Sequence, residues 1–178
     1  MIRMMTTMKK TKFLGTSDAA VAAQQTRGYR NRNPFNIRKT NSKWAGKVLH
    51  GQDPAFEQFD LMVWGVRAGL YLLTKYVRDY KLRTVKQIIH RWAPDGDGTN
   101  NEKAYYEAMR KGAYFSNQVQ QNKGWLYAVA AAMCRVESRY FLTSAGFESA
   151  FTLLPYPMKC FWCRLSPEGQ EREEVDGL

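Results

Sequence analysis

The chain has 178 residues, 44% hydrophobic and 13% aromatic, enough for one core of ordinary size and too few for two comfortable domains. That aromatic content excludes global disorder, and no apolar run is long enough to span a bilayer. The net charge of +11 is lopsided: residues 1–50 hold eleven Lys/Arg against the single acid Asp18, whereas residues 151–178 hold three basic and five acidic residues. The basic half calls for a polyanionic partner, and charge alone leaves nucleic acid, anionic membrane and anionic cell wall open.

In chain order, residues 1–26 read as a flexible basic N-terminal arm. They carry Lys9, Lys10 and an AxA-like end, but Thr, Ser, Gly and Asp interrupt the apolar stretch that a signal peptide needs. Residues 28–59 are broken by Asn, Gly and Pro, and "KWAGKVLH" and "AFEQF" are short enough to be the strands of a small hairpin. Asp60 then stands as an N-cap. Beyond it Val63, Val66, Leu70, Leu73 and Val77 recur at three and four, the period of an amphipathic helix to about Tyr80. "TVKQIIHRW" predicts a second helix ending before Pro94.

"PDGDGTNN" reads as a loop. It fails as an EF-hand: counted from Asp95 the sixth residue is Asn100 and the twelfth is Tyr106, where that site needs Gly and Glu. "EKAYYEAMRKG" predicts a third helix closed by Gly112, and "GWLYAVAAAMCRVESRYF" a fourth, the most apolar. Residues 143–178, with their Pro, Cys and acids, read as a peripheral C-terminal tail. The pair Cys160 and Cys163 has redox or zinc spacing. A zinc site would need two more ligands, and His50 and His90 are the only histidines; no βαβ unit surrounds the pair, so reduced thiols and no metal are expected. The sum is a single domain, mainly α with a small β-hairpin element, an α+β arrangement.

The segment "GYRNRNPFNIRKTNSKWAGK", residues 28–47, holds six basic residues and no acid. The amides of Asn31, Asn33 and Asn36 suit two tasks: locking a tight turn, or bonding the hydroxyl and acetamido groups of a glycan. Trp44 and Phe56 offer faces for sugar rings. Arg38, with Arg30, Arg32 and Lys39, would draw in an anionic polymer.

Glu137 is the most informative residue. Its helical neighbours at three and four are Met133, Cys134, Tyr140 and Phe141, none of them a cation. A carboxyl among apolar groups has its pKa raised by desolvation, and a carboxylic acid kept protonated is what a glycosidase uses to protonate a leaving glycosidic oxygen. The structural alternative is an ion pair with an Arg from another helix, such as Arg67 or Arg91.

The pieces "RGYRNRNPFNIR", "KWAGK", "DPAFEQFD", "WGVRAGLYLLTKY", "TVKQIIHRWAP" and "AAAMCRVES" together resemble a family of phage and prophage virion structural proteins, of the type found in membrane-containing phages. The resemblance runs in unbroken order over about residues 27–139. Two positions depart from the family's pattern: Arg32 replaces an Asn, and Arg139 stands where a Gly usually follows the Glu-Ser pair. A weaker similarity is to cell-wall glucosaminidases of the lysozyme superfamily. Those have a helix ending A-x-x-E-S-G and then a hairpin with N-N-x-F-G-I-K. Here "NPFNIRK" is similar to the hairpin, and the Glu-bearing helix follows it instead of preceding it, the order a circular permutation would give.

This similarity implies a lysozyme-like domain over residues 27–142, with Glu137 as general acid facing the Asn-rich segment across a cleft. Asp53, matching the family's Asp before a Phe-x-x-Phe pair, would be the second carboxylate, orienting water or stabilising oxocarbenium-like charge. Its structural alternative is capping the turn at Pro54.

Three functions follow. The first is a phage-type hydrolase of the peptidoglycan glycan strand, working without a cofactor. The second is a non-catalytic virion or prophage structural protein that binds the wall. The third, a nucleic-acid-binding protein, is disfavoured because the basic residues do not lie along one recognition helix. The expected partners are peptidoglycan or another anionic wall polymer, and other virion proteins. The expected location is the virion, or the host cytoplasm before release, with action on the cell wall.

Overall fold

The computed structural model describes residues 25–95 and 101–163. The basic arm, the centre of the "PDGDGTNN" loop and the chain beyond Cys163 lie outside the described residues. Among the described residues seven helices follow one another: α1 Arg27–Arg30, α2 Met62–Arg78, α3 Val85–Trp92, α4 Glu102–Arg110, α5 Lys123–Ser138, α6 Ser144–Thr152 and α7 Tyr156–Cys163. The periodic segments become α2 to α5. Asp60 is not the cap of α2; Leu61 holds that position without a side-chain bond. Helix α3 has a full capping box between Thr84 and Gln87. Asn101 and Asn122 cap α4 and α5.

The expected β-hairpin is absent, and with it the α+β, lysozyme-like class: among the described residues there is no sheet. Residues 38–59 pair through isolated antiparallel bridges, Arg38 to Phe56 and Lys47 to Phe59, without a continuous ladder. Side chains have taken the amides a ladder would use. The Thr40 amide donates to Glu57 Oε1 at 2.9 Å, and the Ala55 and Phe56 amides donate to Asp53 Oδ1 at 2.9 and 3.0 Å. The Asp53 amide donates to Gln58 Oε1. The buried Glu57 carboxylate, 2.9 Å from Lys47 Nζ, ties the two arms in place of cross-strand pairs.

Helix α2 is the centre of the fold, packing against α3, α5, α6 and α7. Its Gly65 and Gly69 open a seat for the loop after α1: a Cβ at Gly69 would stand 2.1 Å from the Phe35 ring, and one at Gly65 1.9 Å from the Arg32 carbonyl oxygen. Phe35, fully buried, fills that seat and joins Phe59, Leu70, Leu73, Ile88, Leu126 and Met133 in the core.

Residues 144–163, part of the stretch expected to be peripheral, close this core. Phe147, Phe151, Leu154, Met158 and Trp162 are all buried. Trp162 stacks on Trp125 at 5.8 Å and donates its indole N–H to Thr74 Oγ1 of α2 at 2.8 Å. Arg67 Nε donates to the Leu153 carbonyl. Burying side chains of this size contributes on the order of 2 kcal/mol each, so α6 and α7 belong to the domain. Cys160 and Cys163, three residues apart on α7, are free thiols.

Candidate functional site

The last turn of α5 leaves carbonyls without helical partners, and the Asn-rich loop and the cap of α1 supply donors to them. Asn36 Nδ2 donates to the Glu137 carbonyl at 2.7 Å, and Thr26 Oγ1 to the Ser138 carbonyl at 2.8 Å. Ser138 Oγ donates back to the Pro34 carbonyl. Arg139 ends the helix at φ 55°, ψ 19°, a left-handed position that glycine fills most easily. Arg32 and Asn36 in the facing loop also have positive φ, 50° and 48°. Arg32 and Arg139, the two positions expected to depart from a family pattern, thus both fall where the backbone favours Asn or Gly.

Glu137 is clasped by neutral donors from three other elements. Its Oε1 accepts from Trp92 Nε1 of α3 at 2.9 Å and from the Tyr105 hydroxyl of α4 at 2.8 Å. Its Oε2 accepts a longer bond, 3.2 Å, from Asn36 Nδ2. Burial raises the Glu137 pKa above the ordinary carboxyl value; the bonds from Tyr105, Asn36 and Trp92 and the charge of Arg38 pull the other way without cancelling it. Burial, and then the neighbouring Glu137 charge, push the Tyr105 phenol well up, so it remains a donor. An indole N–H can only donate. Both acceptor directions of Oε1 are filled, so Oε2, with its one long bond, has the room for a proton.

Glu137 lies in a cleft of about 510 Å3 and is the one carboxylate among its described lining residues. Asn36, Arg38, Trp44 and Phe56, all expected as site residues, line the same cleft, and Tyr76 and Trp92 add aromatic walls. The Trp44 ring stands edge-on to Tyr71 at 5.8 Å.

The other expected residues stand outside the lining. Asn33 is fully buried; its amide nitrogen bonds the Ile37 and Glu57 carbonyls and its oxygen accepts from the Ile37 amide. Asn31 donates to Asp53 and accepts from Gln58. Asp53 itself receives two bonds from Arg27, at 2.6 and 2.7 Å, one from Asn31 and two from backbone amides. The Arg27 guanidinium holds its carboxyl well below the usual range against the opposing effect of burial, with Asn31 and the amides assisting. It is the knot of the turn at Pro54.

Sequence reasoning missed Tyr105 and Trp92. Their signal, an aromatic with a polar tip on an otherwise packed helix face, marks a side chain that seeks a partner without saying which.

No protein-family model matches the chain. Protein P5 of Pseudoalteromonas phage PM2 is 32% identical over 160 residues, covering 81% of this chain and 99% of P5. This is a phage-related protein. The chain belongs to the family of phage PM2 Protein P5.

Proposed function

We propose that this protein cleaves the glycan strand of peptidoglycan, with Glu137 as the general acid. The observation that carries the reading is the state of that carboxyl. It is half-buried in a cleft of ligand size, held by three neutral donors and raised in pKa by burial. A protonated Oε2 supplies the proton that an expelled glycosidic oxygen needs. Aromatic walls suit the apolar faces of sugar rings, and Arg38 suits an acidic polymer. The protein would act on the wall from the virion, or after release from the host cytoplasm, together with other virion proteins.

One observation favours a second reading, a non-catalytic wall-binding virion protein. No second carboxylate lines the cleft among the described residues, and Asp53 is engaged elsewhere. Under the catalytic reading, attack on the sugar then falls to water held without a carboxylate base. Release of reducing ends from purified peptidoglycan decides between them. Wild type should be active near and below neutral pH, and Glu137→Gln inactive with undiminished thermal stability. A wild type inert on several wall types, yet still binding them, would leave the structural reading.

A further inference from the structure

Phe56 carries guanidinium groups from two arginines, Arg27 at 4.5 Å and Arg38 at 5.0 Å from the ring centre. Their situations differ. Arg27 is spent on Asp53 through both Nε and Nη2. The Arg38 side chain makes no hydrogen bond or ion pair among the described residues, is exposed, and lines the cleft with Glu137. The ring expected to receive a sugar therefore serves as a platform for arginine. A guanidinium laid on an aromatic plane is partly pre-oriented and keeps its in-plane N–H donors free. Its charge is felt at Glu137, which it helps to keep from rising further. A cation with free planar donors at the mouth of a cleft matches a carboxylate, which it can grip with two parallel bonds.

We propose that Arg38 is the specificity residue of this cleft, binding a free carboxylate on the sugar chain, so that the preferred substrate is an acidic glycan and not a neutral one of the same backbone. The inference rests on the glycosidase reading for the word substrate; the recognition itself is separable from turnover.

The experiment uses three probes of equal length: peptidoglycan strands stripped of stem peptides, which bear free carboxylates; the same strands with those carboxylates amidated; and neutral chito-oligosaccharides. Binding is measured in the Glu137→Gln background and cleavage in proteins with Glu137 intact. Arg38→Gln and Arg38→Lys are compared with Arg83→Gln, an equal charge change at an exposed site outside the cleft lining. The acidic strands should bind about tenfold or more tighter than the amidated ones, and the difference should shrink with salt. Arg38→Gln should abolish that preference, Arg38→Lys restore part of it and Arg83→Gln leave it intact. In cleavage the loss should appear in KM more than in kcat. Equal binding of acidic and amidated strands, or a preference that survives Arg38→Gln, overturns the proposal. Cleavage of all three probes without preference removes Arg38's role and leaves the glycosidase. Arg38-dependent binding without cleavage leaves the recognition and removes the glycosidase.

Discussion

Two carboxyl groups in this protein are each clasped by several hydrogen bonds and have opposite chemistry. Asp53, in the irregular segment before α2, accepts five bonds, two of them from a guanidinium. Glu137, at the end of α5, accepts three, all from neutral donors. The first is pulled below the usual range and the second raised above it. At Asp53 the guanidinium leads and the further bonds assist, whereas at Glu137 burial outweighs donors that carry no charge. A carboxylate matched by a cation is committed to structure, while one surrounded by neutral groups can still exchange a proton.

The largest test of that contrast is Glu137→Gln. It should lower the rate of strand cleavage by roughly a hundredfold or more, the usual worth of a general acid, as read by reducing-end release. Asp53→Ala should do the reverse: little loss in kcat per folded molecule, but a lower melting temperature, with the turn bonds alone costing about 1–2 kcal/mol.

The pH dependence of stability should separate the two with opposite slopes. Glu137 has a raised folded pKa, so its contribution is full below its unfolded value and is lost as pH rises through the folded one. Glu137→Gln should therefore gain stability relative to wild type on going from acid to neutral pH. Asp53 has a lowered folded pKa, so its contribution is present above the unfolded value and disappears as pH falls through the folded one. The deficit of Asp53→Ala should shrink only in strong acid. Parallel curves in a denaturant series across pH would break the comparison.

A smaller effect is expected from Tyr105→Phe. It removes one bond that favours the ionised form, so the alkaline limb of the pH–rate profile should move to higher pH, with a stability loss of about 1 kcal/mol. An unmoved limb would mean that another group carries the proton.

Helices α2 to α5 were legible because their signals are local: spacing for α2, the stop before Pro94 for α3, Gly112 closing α4 and the apolar run of α5. The anomaly at Glu137 was legible for the same reason, since helical geometry alone shows that no cation lies on its own face. Its actual partners were hidden, because Asn36, Trp92 and Tyr105 converge only through tertiary packing. The hairpin failed because period and turn signals say nothing about side chains that capture amides, as Glu57 and Asp53 do. The last two helices were missed because the stretch was read as a peripheral tail from its Pro, Cys and acids. In the fold, Pro155 precedes α7 and Pro157 sits in its first turn, where a missing N–H is harmless.

The smallest prediction concerns the turn that follows Glu137. Arg139 is left-handed at φ 55°, a conformation that costs an L-residue with a Cβ roughly 1–2 kcal/mol. Its charge, beside the negative end of α5, offsets some of that, so Arg139→Gly alone mixes two effects. Arg139→Ala loses the charge and keeps the Cβ. The difference between the Gly and Ala variants therefore isolates the backbone, less the greater freedom of Gly in the unfolded chain. Gly should come out ahead by about 0.5–1 kcal/mol, or about 1–4 °C in melting temperature for a chain of this size. Both variants should keep the Glu137 rate if the loop's bonds to the Glu137 and Ser138 carbonyls hold the helix end. A rate that collapses in Ala and recovers in Gly would show instead that the strained turn aims the acid.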